Sequence, residues 1–243
     1  QWFPKSYREA WDAGDHLFLN AIGLTNPGIE VAMREVTPNW DAWNATCILS
    51  FSSDTVAQFG EMAAMAGQGT GYRAIELNLS CPNVEDGSLF GHSPELTAQA
   101  VASVRAETDL PVLAKLAPNV PDIVEIARAA VDSGADALTI CNTVPAMRID
   151  ITSHQPVLGN ITGGLSGEGL RPISLNLVYQ VSNALDVPII GVGGIFSGEH
   201  AAEYILAGAS AVQIGSANLM GLAAPWRILA ELQDWMQQSG VTN

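Results

Sequence analysis

Positive charge is scarce in this sequence. Its 243 residues include ten lysines and arginines against 25 aspartates and glutamates, which gives a formal net charge of −15. The chain has no basic run that would neutralise a nucleic-acid backbone or an anionic bilayer. We therefore expect neither a nucleic-acid partner nor a membrane partner, and any phosphate that binds must be held by a local site.

Cysteine is also scarce, and long apolar runs are missing. Cys47, Cys81 and Cys141 are far apart and form no Cys-x-x-Cys pair, so the sequence supports neither a disulfide framework nor a zinc site. The histidines show no metal-ligand spacing. Residues 1–15 carry charged side chains instead of the apolar core of a signal peptide, and the apolar stretches have only the length of a strand. These absences predict a cytoplasmic protein without a metal site.

From residue 47 onward, short aliphatic runs alternate with longer helical patterns, which is typical of a parallel sheet with crossover helices. Strands are predicted near 46–51, 74–79, 112–116, 137–141, 189–192 and 211–214, and helices near 54–66, 94–106, 121–133, 172–185, 198–207 and 225–238. Ser93 and Ser197 are predicted helix caps. We predict one α/β domain over residues 1–243, a TIM (β/α)8 barrel in which about six of eight strands are readable.

The run Asn78-Leu79-Ser80-Cys81-Pro82-Asn83 follows the predicted strand at 74–79. The chain turns polar where a buried strand would stay aliphatic, and the proline ends the strand. A thiol between two carboxamides in such a loop is a candidate for chemistry. The alternative is a small buried hydrophobic residue, and this is the interpretation that we adopt for Cys47 and Cys141.

Other predicted strand ends also carry polar residues or glycine, and in a barrel these ends share the face of the active site. Lys115 lies in an apolar strand and should face negative charge, either on a ligand or on a barrel carboxylate such as Glu76. Gly193-Gly194 and Gly215-Ser216 follow successive strands and suit a phosphate bound by backbone N–H groups; alternatively, they only form tight turns. Carboxamides that can read a flat heterocycle, or serve as turn residues, stand at Asn20, Asn78, Asn83 and Asn142.

These residues resemble the dihydroorotate dehydrogenase family. The matching stretches are residues 20–28, 76–84, 90–95, 115–119, 141–143, 162–167 and 191–216. Cysteine at position 81 resembles the class 1 enzymes of the family, whereas serine would mark the membrane-linked class 2. The segments 20–24 and 163–167 are most similar to the class 1B, NAD-linked catalytic subunit.

The resemblance implies FMN as cofactor, dihydroorotate as substrate and orotate as product. Cys81 would remove the proton from C5 of dihydroorotate while the hydrogen on C6 passes as hydride to FMN. The implied substrate-binding residues are Asn20, Asn78, Asn83, Asn142 and Thr143. The implied cofactor-binding residues are Asn78, Lys115, Gly164, Gly167, Gly193, Gly194, Gly215 and Ser216.

The class 1B resemblance also implies an electron-transfer subunit with FAD and a 2Fe-2S cluster that passes electrons to NAD, around a homodimer of catalytic chains in a heterotetramer. Family members begin with further strand-and-loop units, so we expect an N-terminally incomplete barrel. Pro145 and Arg148 stand in a loop that is usually small and apolar.

Two alternative functions stay open at this point. One is a dihydropyrimidine dehydrogenase-like flavin enzyme, which preferential turnover of dihydrouracil would reveal. The other is a flavin-binding or inactive barrel fragment, and a failure to bind FMN and to melt cooperatively would favour the inactive form.

Overall fold

The computed structural model describes residues 16–43, 45–80 and 89–241, and these fall into two compact units. The first unit takes its described residues from Gln1–Thr25, Ile140–Ser182 and Ile190–Asn243. The second takes them from Asn26–Thr139 and Asn183–Ile189. The single domain over residues 1–243 stays a prediction.

All six predicted strands and all six predicted helices are present. The strands of the described chain are β1 (Leu17–Asn20), β2 (Ile48–Phe51), β3 (Ala74–Asn78), β4 (Val112–Leu116), β5 (Ala137–Ile140), β6 (Val144–Ala146), β7 (Ile149–Asp150), β8 (Gln155–Pro156), β9 (Gly163–Gly167), β10 (Ile189–Val192) and β11 (Ala211–Gln213). The long helices are α1 (Val56–Ala66), α2 (Pro94–Arg105), α3 (Ile123–Asp132), α4 (Arg171–Ala184), α5 (Gly198–Leu206) and α6 (Ala224–Ser239). Shorter helical segments cover Ile29–Val31, Ala32–Val36 and Thr37–Trp43. The predicted α/β class is confirmed, because each predicted strand is followed along the chain by its predicted helix.

In the second unit, β2 pairs with β3 and β3 with β4 in parallel, and β5 lies beside β4. The register places Ser50 beside Glu76 and Asn78 beside Lys115. Successive side chains of a strand point to opposite faces, so Glu76 and Asn78 share one face while Ile75 and Leu77 lie on the other. Ile75 and Leu77 are fully buried, as expected for a strand covered on both faces.

The core of the second unit also includes aromatic side chains. Phe59 of α1 packs edge to face against Phe90, with 5.2 Å between the ring centroids, and both rings are fully buried. Phe51 of β2 lies 6.4 Å from Phe59 in a tilted arrangement. Aromatic pairs favour edge-to-face geometry, and these contacts of Phe59 pack α1 against the sheet.

In the first unit, β10 and β11 pair in parallel, whereas β1, β9 and β6 form an antiparallel sheet in that order. Asn20 lies opposite Gly164 on one side of β9, and Pro145 lies opposite the same glycine on the other side. Pro145, expected in a loop, therefore belongs to strand β6. The buried helix residues Val178, Tyr204 and Ile228 complete the core of this unit.

Both predicted serine caps are confirmed. The N–H of Leu96 donates to Ser93 Oγ at 3.2 Å at the start of α2. The N–H of His200 donates to Ser197 Oγ at 3.3 Å at the start of α5. Each serine thus satisfies one of the backbone donors that a helix start leaves without an intrahelical partner.

Candidate functional site

The carboxyl ends of β3 and β4 bring Asn78 and Lys115 together in the second unit. The two residues are register partners at neighbouring strand ends. Lys115 is the one partly exposed residue of β4, whose other four residues are buried. Asn78 Oδ1 accepts the backbone N–H of Ser80 at 3.4 Å, which directs the chain as it leaves β3. A carboxamide and an ammonium group therefore lie side by side at this edge.

Glu76 lies one step deeper on the same face of β3 and is only 5% exposed. Its carboxylate accepts hydrogen bonds from Thr139 Oγ1 at 2.8 Å and from Ser50 Oγ at 3.1 Å. Among the described residues, no ion pair joins Glu76 to Lys115. The hydroxyl groups of Thr139 and Ser50 therefore help to stabilise the buried carboxylate of Glu76.

Cys81 and Asn83 lie outside the described residues, but the chain on both sides of segment 81–88 is placed. The N–H of Leu79 donates to the carbonyl of Lys115 at 3.4 Å, and the N–H of Gly91 donates to the carbonyl of Leu79 at 2.8 Å. Leu79 is fully buried. The chain therefore leaves and re-enters the described structure beside the carboxyl ends of β3 and β4, where the sequence predicts the site.

In the first unit, Asn20, Asn142, Thr143 and Gly164 gather around the antiparallel sheet. Asn20 Nδ2 donates to the carbonyl of Gly164 at 3.4 Å. The backbone N–H of Thr143 donates to Asn142 Oδ1 at 2.8 Å. A Cβ atom added to Gly164 would overlap Thr143 Oγ1 and lie 2.9 Å from Thr143 Cβ, so only glycine permits this approach. The predicted substrate-binding residues of this unit are thus brought together.

The loop after β10 contains Gly193 and Gly194, with φ angles of +136° and +67°. A Cβ atom at Gly194 would lie 2.7 Å from the backbone oxygen of Glu168 and 2.8 Å from the backbone nitrogen of Arg171. Tyr204 Oη donates to the carbonyl of Gly193 at 2.6 Å, and burial raises the pKa of this phenol, so it stays a donor at working pH. The loop is therefore held in a backbone conformation that suits glycine.

Gly215 and Ser216 follow β11, the parallel neighbour of β10. The carboxyl ends of parallel neighbours lie at the same edge of a sheet. This loop and the Gly193-Gly194 loop therefore begin at the same edge. No atom lies within 4 Å of the position that a Cβ of Gly215 would take. The open space at Gly215 leaves room for an anion, and backbone N–H groups of such loops can bind one.

The start of α5 lies beside a carboxylate of the same unit. The N–H of Gly198 donates to Glu231 Oε2 of α6 at 2.7 Å, and this hydrogen bond is the main reason why the pKa of Glu231 is lowered. A carboxylate already compensates the partial positive charge of this helix start. Gly167, a predicted cofactor residue, has a structural reason for being glycine, since a Cβ there would overlap the backbone oxygen of His16.

Sequence reasoning missed the ionic cluster around Glu168. His16 Nδ1 lies 2.9 Å from Glu168 Oε2, and His200 Nε2 and Arg171 Nη1 lie 3.5 and 3.6 Å from Oε1. The hydrogen bond from His16 is the largest cause of the lowered pKa of Glu168. Histidine spacing along the chain gave no signal, because the cluster is assembled from segments far apart in sequence.

The buried position of Cys141 agrees with the structural role that the sequence predicts for it, and Cys47 is partly exposed. Across residues 16–43, 45–80 and 89–241, no group of three or more acidic, histidine or cysteine side chains could hold a metal ion. Within the same part of the chain, no helix is both long and apolar enough to cross a membrane.

Comparison with known proteins identifies similar chains. The family model described as dihydroorotate dehydrogenase matches residues 4–236. The chain is 44% identical to the catalytic subunit of dihydroorotate dehydrogenase B (NAD(+)) from Desulforudis audaxviator, over 92% of this chain and 73% of the relative. The subunits of the same name from Geobacter metallireducens and Pelobacter propionicus are 44% and 45% identical, over 93% and 92% of this chain and 74% of each relative.

Proposed function

Because the chain belongs to the dihydroorotate dehydrogenase family, we propose that the strand-end residues described above bind FMN and dihydroorotate. The protein is an FMN-dependent oxidoreductase that converts dihydroorotate to orotate in pyrimidine biosynthesis. The observation that carries the assignment of the site is the pairing of Asn78 with Lys115 at adjacent strand ends, directly before segment 81–88. The family fold is a TIM barrel, which agrees with the repeated strands and helices.

The residues present fit FMN. Its phosphate would be held by Gly193, Gly194, Gly215 and Ser216, whose loops follow adjacent parallel strands and leave space at Gly215. Local backbone donors are what an acidic chain needs to bind an anion. Lys115, with Asn78 beside it, would contact the electron-accepting flavin ring. Gly164 and Gly167 are proposed as further contacts of FMN. When bound, FMN accepts the hydride and thus supplies the redox chemistry.

We propose that Cys81 is the general base that removes the proton from C5 of dihydroorotate. The thiolate is the basic form of cysteine, and positive charge nearby lowers the pKa of a thiol. Asn78 fixes the start of the segment that carries Cys81 through its hydrogen bond to Ser80. Loss of the C5 proton to Cys81 and of the C6 hydride to FMN leaves the carbon–carbon double bond of orotate.

Substrate recognition is assigned to Asn20, Asn78, Asn83, Asn142 and Thr143. A carboxamide presents both donors and an acceptor, which matches the alternating N–H and C=O groups of the pyrimidine ring. The hydroxyl of Thr143 adds a donor beside Gly164. The backbone N–H of Thr143 donates to Asn142 Oδ1, which holds the side chain of Asn142 beside Thr143.

Gly164→Ala is expected to lower kcat/KM for dihydroorotate by roughly 10- to 100-fold, because the new methyl group displaces Thr143 and small misplacements of binding groups are costly. Steady-state kinetics would measure the effect. Gly159→Ala is the matched control, since a Cβ there would meet no atom within 4 Å. Equal kinetics for the two variants would contradict the role of the Gly164–Thr143 contact.

The chain acts with a partner electron-transfer subunit in a multimer, as expected for a relative of chains named catalytic subunits of an NAD(+) enzyme. We propose that this partner carries FAD and a 2Fe-2S cluster and passes electrons to NAD. We also propose a heterotetramer built on a homodimer of catalytic chains, located in the cytoplasm. Copurification with the partner and iron analysis would test these proposals.

The proposed function is tested by the visible spectrum of the purified chain. Anaerobic addition of dihydroorotate is expected to bleach the flavin band, because bound FMN takes up the hydride. A flavin band that bleaches only with dihydrouracil would shift the assignment to the dihydropyrimidine dehydrogenase-like alternative. A chain that takes up no FMN would instead be the inactive barrel fragment.

A further inference from the structure

Phe196 follows the Gly193-Gly194 loop and is held on three sides. Its ring stacks on His16, with 5.0 Å between centroids and an interplanar angle of 2°. Its N–H donates to His200 Nδ1 at 3.2 Å, and its carbonyl accepts from Arg227 Nη2 at 2.9 Å. Phe196 is 8% exposed, so losing the acceptor of its N–H would leave a poorly hydrated donor. The position of Phe196 thus depends on a titratable side chain.

The contacts of His200 define which ring nitrogen carries the proton. Nδ1 accepts the N–H of Phe196, so the proton of the neutral ring is on Nε2, which faces Glu168 Oε1 at 3.5 Å. A second proton would go to Nδ1 and would point at the N–H of Phe196. The cationic ring therefore cannot keep this hydrogen bond.

We propose that His200 is a positioning residue that holds the Gly193-Gly194 loop ready for the FMN phosphate when the imidazole is neutral, and that it loosens FMN binding when it is protonated. Only Ile195 separates Gly194 from Phe196, so release of Phe196 is transmitted directly to the glycine pair. The remaining anchors of this segment, such as Tyr204 Oη on the carbonyl of Gly193, do not replace a partner for the N–H of Phe196. This inference rests on the proposed binding of FMN.

The surroundings of His200 support the neutral form. Burial is the largest cause of its pKa being lowered from 6.5, followed by the positive charge of Arg171. A lowered pKa means that protonation opposes the folded arrangement, so loop order is complete above about pH 6.5 and is lost as pH falls toward the lower folded value. The charged and titratable groups that face His200 come from several segments. They are Glu168 of the short helical segment Glu168–Leu170, Arg171 at the start of α4, Glu199 and Glu203 of α5, Glu231 of α6 and, through Glu168, His16.

The test compares FMN affinity of the flavin-free chain from about pH 5 to 8, measured by flavin fluorescence, for the wild type and two variants. His200→Asn places a non-titrating oxygen acceptor near the position of Nδ1, so we expect nearly wild-type affinity at pH 8 and a weaker loss at acid pH. His200→Leu removes the acceptor, so we expect affinity about tenfold lower even at pH 8. Titration of the FMN phosphate itself, with a pKa of about 6, is common to all three proteins and cancels in the comparison.

Two controls separate this role from a general effect on stability. His154→Asn changes an exposed histidine and should leave the pH profile of FMN binding unchanged. Riboflavin, which lacks the phosphate, should bind the wild type and His200→Leu with similar affinity. Wild-type affinity and pH profile in both His200 variants would overturn the inference while leaving the proposed function intact. Failure of the wild type to bind FMN at any pH would overturn the proposed function and the inference with it.

Discussion

Replacing Cys81 by serine is expected to lower the rate of dihydroorotate oxidation near neutral pH by roughly 10²- to 10⁴-fold, the usual contribution of a positioned general base. A serine hydroxyl is a far weaker acid than a thiol, so much less of it is in the basic form at neutral pH. FMN affinity should stay unchanged, since no part of the proposed cofactor site is altered. Single-turnover bleaching of the flavin band by dihydroorotate measures the step directly.

The pH profile of the serine variant gives the prediction a second readout. The rate should continue to rise with pH beyond the point at which the wild type levels off, because the weaker acid is deprotonated only at higher pH. Cys47→Ser is the matched control, since Cys47 is partly exposed and has no proposed role. Unchanged turnover in Cys81→Ser, with FMN bound, would remove Cys81 from the mechanism.

The strands and helices that the sequence predicts correctly are those with strong local patterns. Strand β4 reads Val-Leu-Ala-Lys-Leu, and α2 begins at a serine cap followed by proline. Strand β9 was not predicted, because Gly163–Gly167 contains three glycines and has low β propensity. It forms through pairing with β1 and β6, and a contact between residues so far apart in sequence leaves no local signal.

In the candidate site, too, some features have a local sequence signal and others depend on contacts between residues far apart in the chain. The meeting of Asn78 with Lys115 could be predicted, since parallel strands end at the same edge of a sheet. The hydroxyl partners of Glu76 could not, because Ser50 and Thr139 are ordinary residues of β2 and β5 that become partners only through the register. The hydrogen bond from the N–H of Phe196 to His200 was missed for a related reason. It depends on the orientation of the His200 ring at the start of α5.

Lys115→Met is expected to slow reduction of bound flavin by dihydroorotate by about 10²-fold, the typical cost of removing one preorganised electrostatic contact from an active site. Lys115 contributes a positive charge from within a buried strand, where a charged group is costly unless a ligand or a partner compensates it. We propose that the flavin is this ligand, so loss of the ammonium group should also lower the reduction potential of bound FMN. Stopped-flow absorbance and a potential titration measure the two effects.

The melting temperature decides between this role and the alternative in which Lys115 pairs with Glu76. If the flavin is the partner, the flavin-free Lys115→Met chain should melt no lower than the wild type, because Glu76 keeps its hydrogen bonds from Ser50 and Thr139. If the ion pair were the main role, methionine would leave a buried carboxylate without its cation and destabilise the chain. Two further variants are controls for charge: Lys115→Arg keeps the positive charge, and Arg128→Met removes an exposed charge from α3. A lower melting temperature with unchanged flavin reduction would therefore favour the ion pair and reject the flavin contact.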